Sequence, residues 1–78
     1  MRTDWRERVE IHEDLHHGDP CIRGTRIPVR TIVGSLADGM SVEEIRAAYP
    51  ELAAEDVSAA LAYAAEVLRD EVVIPLSA

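Results

Sequence analysis

The chain has 78 residues, which is enough for one small domain. It carries 8 Lys and Arg residues against 15 Asp and Glu, a formal net charge of −7, and every cation is an arginine. An apolar content of 47% excludes an intrinsically disordered chain, and the single cysteine excludes an internal disulfide. The N-terminus has no apolar signal region, and no apolar run approaches the roughly 20 residues of a membrane span. We therefore expect a cytoplasmic protein that does not enter a membrane.

The first third of the chain predicts a short β-hairpin. Residues 8–12 alternate polar and apolar side chains, the period of a half-buried strand. The Gly18-Asp19-Pro20 cluster predicts a turn, and residues 21–23 are expected to return as a second strand. Gly24 would then close the strand, either in a positive-φ turn or where another backbone segment approaches closely before the first helix. The hairpin region covers residues 9–27.

A first helix is predicted directly after the hairpin. Pro28 suits the first helical position, where its missing N–H costs nothing. One apolar stripe follows at helical spacing, formed by Val29, Ile32, Val33 and Leu36. Gly39 is expected to end this helix. Gly34, in its middle, predicts close packing of another element from the same chain or from a second subunit.

Two further helices complete the predicted fold. Ser41 and Glu44 form a capping-box pattern that opens a short helix, which ends before Pro50. A third helix is predicted from about Ala54 to Asp70, with an apolar face formed by Val57, Ala60, Leu61, Ala64 and Leu68. The prediction is an α+β fold, mainly α, with a short N-terminal hairpin and a three-helix, helix-turn-helix-like unit over residues 28–70. Residues 71–78 form an apolar tail, and the whole chain, 1–78, is one domain.

Several motifs are similar to those of the domain of unknown function 433 family. They are P-C-I-R-G-T-R-I-P-V at residues 20–29, G-M-S-V-E-E-I at 39–45, Y-P-E-L at 49–52, E-D-V at 55–57 and A-L-A-Y-A at 60–64. The resemblance covers residues 9–65 and implies a trihelical, homeodomain-like or winged-helix fold. Several family members lie beside a PIN-like ribonuclease and are regarded as its VapB-type antitoxin. Two positions depart from the family pattern: Asp19 stands where a cation is usual, and Ala53 where Thr or Ser usually caps the third helix.

The candidate binding residues are Arg23, Arg26 and Arg30, which lie in an acid-free segment over residues 20–37. One interpretation pairs them internally with the acidic helices. The other, which follows from the resemblance, sends at least one into the acidic metal site of a PIN-like ribonuclease toxin, with Arg23 and Arg26 the strongest candidates. Ile74 and Leu76 of the tail would add apolar anchors by strand addition to that partner, or would pack back on their own domain.

The helix-turn-helix pattern also suggests a second hypothesis, a DNA-binding regulator that uses the same three arginines. Residues 41–71 carry two arginines and eight acidic residues, a local charge of −6, so we expect DNA to bind only weakly or within a complex. A third hypothesis is a self-associating domain without a toxin partner. Because a domain this small buries little surface, we expect a homodimer in any case.

We expect neither an enzyme nor a cofactor. Cys21 has no base spaced to activate it and is interpreted as a small buried hydrophobic residue. His12, His16 and His17 lie around a predicted turn and lack the usual spacing of metal ligands, so no metal site is predicted. The paired acidic residues are interpreted as solvated helix faces and first-turn charges.

Overall fold

A computed structural model describes residues 4–11 and 18–70, and its elements follow the predicted order. A 3₁₀ turn (Trp5–Glu7) precedes two antiparallel strands, β1 (Val9–Ile11) and β2 (Pro20–Ile22), and three helices, α1 (Val29–Ala37), α2 (Val42–Ala48) and α3 (Ala54–Asp70). The α+β, mainly α fold is confirmed. The three histidines of residues 12–17 and the tail anchors Ile74 and Leu76 lie outside the described residues. Within the described part of the chain, no helix has the length and apolarity needed to cross a bilayer.

The two strands of the hairpin contribute buried side chains to the core. Val9 lies opposite Ile22 in the register, and both side chains are buried. Gly24 has a φ of +80°, as predicted, and turns the chain sharply so that the N–H of Ile22 donates to the carbonyl of Ile27 at 3.0 Å. The segment after β2 is therefore a tight turn that folds back on the strand and leads directly into α1.

Helix α1 begins one residue later than predicted. Pro28 is its N-cap and not its first helical residue, because an isolated β-bridge to Cys21 holds Pro28 in an extended conformation with ψ 146°. Gly39 ends the helical region with a φ of +94°, as predicted. A Cβ on Gly34 would meet open space among the described residues, so none of the described elements packs closely against Gly34.

The capping box of α2 is present. The hydroxyl of Ser41 accepts a hydrogen bond from the N–H of Glu44 at 3.0 Å, and the Glu44 carboxylate accepts one from the N–H of Ser41 at 2.8 Å. The bond from the N–H of Ser41, with a hydrogen bond from the Ser41 side chain, lowers the pKa of the Glu44 carboxyl group. The helix ends at Ala48, before Pro50, as predicted. Short connections therefore join the three helices in a helix-turn-helix-like arrangement.

The core lies between the hairpin and the three helices. Its buried residues are Val9, Ile22, Ile27, Val29, Ile32, Ile45, Leu52, Val57, Ala59 and Ala60. The predicted apolar face of α3 is partly wrong, because Leu61 is 46% exposed and Leu68 is 65% exposed. Helix α3 does bury Val57 and Ala60 of the predicted face, and it also buries Ala59, which was not predicted, where it packs on the core with α1.

Replacing Ser41 by Ala should lower the free energy of unfolding by about 1 kcal/mol, because the N–H of Glu44 loses its acceptor at the exposed start of α2. Chemical denaturation followed by circular dichroism measures the change. Glu44→Gln is the matched variant: its amide oxygen can still accept from the N–H of Ser41, so its loss should be smaller. Equal stability of Ser41→Ala and wild type would show that the capping box contributes nothing.

Candidate functional site

Charged side chains meet where the 3₁₀ turn, the hairpin and the start of α3 come together. They surround an open depression of about 330 Å³ lined by Glu7, Arg8, Arg23 and Asp56. Arg8 directly precedes β1, Arg23 directly follows β2, and Asp56 lies in the first turn of α3. Two guanidinium groups and two carboxylates from distant parts of the chain therefore share this one surface.

Asp56 is the buried member of this group, with only 8% of its surface exposed. Its Oδ1 atom accepts from Nη1 of Arg8 at 3.0 Å, and its Oδ2 atom accepts from the N–H of Ala53 at 2.8 Å. The second bond satisfies a backbone donor at the start of α3, the end at which Ala53 lacks a capping oxygen of its own. Asp56 thus stabilises the helix start and attaches it to the hairpin.

A second link joins the 3₁₀ turn to the C-terminal half of α3. The indole Nε1 of Trp5 donates to Oε2 of Glu66, and Nη2 of Arg6 lies 3.1 Å from Oε1 of the same carboxylate. The Trp5 ring meets Tyr63 edge to face at 4.8 Å, and the Arg6 guanidinium lies 4.7 Å from the Trp5 ring centroid. The hydrogen bond from Trp5, with the charge of Arg6, lowers the pKa of Glu66.

The three candidate arginines have different surroundings. Arg23 lies 3.4 Å from Oε2 of Glu10 and donates from Nε to the carbonyl of Glu7 at 3.0 Å. The Nε atom of Arg30 lies 2.9 Å from Oδ2 of Asp19, the residue that departs from the family pattern. Arg26 is exposed, and within residues 4–11 and 18–70 it forms neither a hydrogen bond nor an ion pair.

Two of the three candidate arginines, Arg23 and Arg30, therefore form internal ion pairs. Their partners differ from those expected. Arg23 and Arg30 pair with hairpin and turn carboxylates and not with the acidic helices. The arginines that reach α3 are Arg6 and Arg8, which the sequence analysis did not single out. Their partners lie 60 and 48 residues away along the chain, so no local spacing could have identified them.

Cys21 is buried, as expected, and its Sγ atom donates to the carbonyl of Asp19 at 3.4 Å. Burial, with the nearby carboxylates of Asp19 and Glu10, raises the pKa of its thiol, so the reactive thiolate is disfavoured. Among the residues with a described placement, no three His, Cys, Asp or Glu side chains are grouped to hold a metal ion.

Comparison with known proteins assigns the family. The profile of the family described as "Protein of unknown function (DUF433)" matches residues 9–64. The chain belongs to the DUF433 family. The crystal structure of a DUF433 member from Anabaena variabilis ATCC 29413 is 39% identical and superimposes with a TM-score of 0.75, covering 80% of this chain.

A curated relative extends the comparison to a longer protein. The uncharacterized protein y4eO of Sinorhizobium fredii (strain NBRC 101917 / NGR234) is 44% identical over 59 residues, or 76% of this chain. The match spans 27% of y4eO, and the Anabaena match spans 61% of that chain. This DUF433 chain therefore corresponds to about a quarter of y4eO and to less than two thirds of the Anabaena protein.

Replacing Asp56 by Ala should lower the free energy of unfolding by about 2–3 kcal/mol, because it removes a buried charge-assisted bond and the acceptor for the N–H of Ala53. Urea denaturation measures the loss. The control is Glu51→Ala, which removes an exposed carboxylate just before α3 and should change stability by less than about 0.5 kcal/mol. Similar losses in the two variants would contradict a special role for Asp56.

The lowered pKa of Glu66 predicts acid sensitivity. The folded state favours the charged carboxylate, so its stabilising effect is complete above the ordinary pKa of 4.5 and is lost as pH falls through the lower folded-state value. Melting temperatures between about pH 7 and pH 3 should therefore fall less steeply in Glu66→Gln than in wild type. Glu43→Gln, an exposed change on α2, serves as the control and should keep the wild-type slope. If the melting temperature of Glu66→Gln fell with pH as steeply as that of wild type, a stabilising role for the Glu66 carboxylate would be contradicted.

Proposed function

We propose that this DUF433 chain is an antitoxin-like binding module of a type II toxin–antitoxin pair. It would act in the cytoplasm and neutralise a PIN-like ribonuclease by protein–protein contact. The observation that carries the proposal is the state of Arg26, an exposed guanidinium without a partner among the described residues, in a chain whose other candidate arginines are already paired.

The backbone on both sides of Arg26 is held in place. The hydroxyl of Thr25 donates to the carbonyl of Ile22 at 2.8 Å and accepts from the N–H of Ile27 at 3.1 Å. Ile27 in turn accepts from the N–H of Ile22. A side chain on such a fixed turn loses less conformational freedom when a partner binds, which favours its use as a contact residue.

The chemistry of the proposed partner suits a guanidinium group. The resemblance implies a PIN-like ribonuclease that holds divalent metal with clustered carboxylates. An arginine placed among those carboxylates would pair with them bidentately and compete with the metal, so the antitoxin needs no catalytic group. Ile74 and Leu76 remain the proposed apolar anchors, on a segment outside the described residues, and Arg23 and Arg30 contribute positive charge beside Arg26.

The DNA-binding alternative has less support from the charge distribution. The first turn of α3, the end that a helix-turn-helix unit presents to the major groove, exposes Glu55 and carries no arginine. Of the three arginines that would contact phosphate, Arg23 and Arg30 already have carboxylate partners. Phosphate neutralisation supplies most of the affinity for DNA, so an acidic reading helix opposes binding.

Arg26→Ala should weaken the complex with the proposed PIN-like ribonuclease partner by about 2–5 kcal/mol, because a desolvated charge pair would lose one member. Co-expression, copurification and a ribonuclease assay measure binding and inhibition. Arg46→Gln is the charge-matched control: this exposed arginine on α2 contacts the carbonyl of Leu52, and its loss should leave inhibition intact. Full inhibition by Arg26→Ala would reject the arginine mechanism, and the absence of any complex with wild type would reject the antitoxin function.

A further inference from the structure

The outer face of α3 is apolar although it is exposed. Ala54, Ser58, Leu61, Ala65 and Leu68 are all exposed and recur at alternating intervals of four and three residues. We call these five residues the α3 seam. Their average spacing of 3.5 residues keeps them on one line along the helix, as in the contact line of a coiled coil.

Two of the acidic residues of α3 lie on the side of the helix that faces the protein. Asp56 and Glu66 pair there with Arg8 and Arg6. The seam has no charged residue, although the chain has 15 acidic residues. Solvent-facing helix positions are usually polar or charged, so an apolar line on this side indicates a surface that another helix covers.

We propose that a second copy of this chain packs antiparallel along the α3 seam. Large and small residues alternate there, with leucines separated by Ala65 and preceded by Ser58. An antiparallel partner places Leu61 against Ala65 of the partner subunit and Leu68 against Ser58 of the partner subunit, so large side chains fill the space left by small ones. A parallel partner would instead set leucine against leucine and alanine against alanine, which leaves gaps between the helices.

The flanking charges favour the same orientation. Glu55 and Arg69 are both exposed and lie 14 residues apart, so they occupy the same side of the seam at its two ends. In an antiparallel pair, Glu55 of each copy lies beside Arg69 of the partner subunit, and the two-fold axis repeats the contact. In a parallel pair, like charges would lie at the same level. The charge pattern therefore selects the antiparallel dimer of identical chains.

The first test measures the mass of the full chain by sedimentation equilibrium over a wide concentration range. The chain mass is 8.6 kDa, and the average mass should rise toward twice that value as concentration increases. Leu61→Glu and Leu68→Glu should each weaken dimerisation at least tenfold, while circular dichroism shows an intact fold. Val42→Glu, which adds the same charge at a 38% exposed apolar residue of α2, is the control and should dimerise like wild type.

The second test determines the orientation. Glu55→Arg and Arg69→Glu should each weaken the dimer, and the double variant should restore it, because the antiparallel pairs are then re-formed with exchanged signs. Failure of the double variant to recover would overturn the antiparallel register.

A wild-type chain that stays monomeric at millimolar concentration would overturn the proposal. A dimer that forms only after deletion of residues 71–78 would also overturn it, because the seam would then be covered by the tail of the same chain. Neither test uses the ribonuclease. The result of each test is therefore independent of the antitoxin proposal.

Discussion

The hydrogen bonds of Asp56 connect the two halves of this small protein. One carboxylate oxygen holds the guanidinium of Arg8 beside the hairpin, and the other holds the backbone at the start of α3. A buried carboxylate is costly unless its oxygens are bonded, so this geometry couples the helix start to the hairpin position. The core between them includes Val9 of the hairpin and Val57, Ala59 and Ala60 of α3.

Most of the other described arginines also bond to carboxylates or carbonyls of the same chain. All cations are arginines, and their planar forks can satisfy a carboxylate and a backbone carbonyl together. Arg6 and Arg8 attach the N-terminal segment to α3, while Arg23 and Arg30 hold the hairpin and its turn. Arg26 is left exposed among the described residues, on a turn held by Thr25. Of the three candidate arginines, the internal ion pairs therefore leave Arg26 as the one without a partner among the described residues.

Two surfaces result, on different elements of this DUF433 domain. The turn before α1 presents Arg26, and α3 presents an apolar seam with charges at its ends. On the described part of the chain, the exposed guanidinium of Arg26 and the exposed face of α3 are the surfaces on which the two proposed interactions rest. The acidic start of α3 accounts for the weaker support for DNA binding, even though the three helices have a helix-turn-helix-like arrangement. The two proposals, recognition of an acidic site and self-association, rest on separate groups of this chain.

Local features of the fold could be predicted from the sequence because their signals lie within a few residues. The alternation of residues 8–12 indicated β1, the Ser41 capping box indicated the start of α2, and Gly24 and Gly39 indicated turns that require a positive φ. The start of α1 was predicted one residue too early, at Pro28. The local preference of proline for the first helical position was overridden there by a longer-range contact, the β-bridge to Cys21.

Only the tertiary structure decided the face of α3 and the pairing of the arginines. Both faces of α3 contain apolar residues, so periodicity placed Leu61 and Leu68 in the core with Val57 and Ala60, whereas the structure leaves the two leucines exposed and buries Ala59. The bonds from Trp5 to Glu66 and from Arg8 to Asp56 span 61 and 48 residues. Such pairs depend on how whole elements approach one another. By itself, the sequence determined where the helices and turns lie, because those preferences arise from neighbouring residues; the long-range contacts required the packed core.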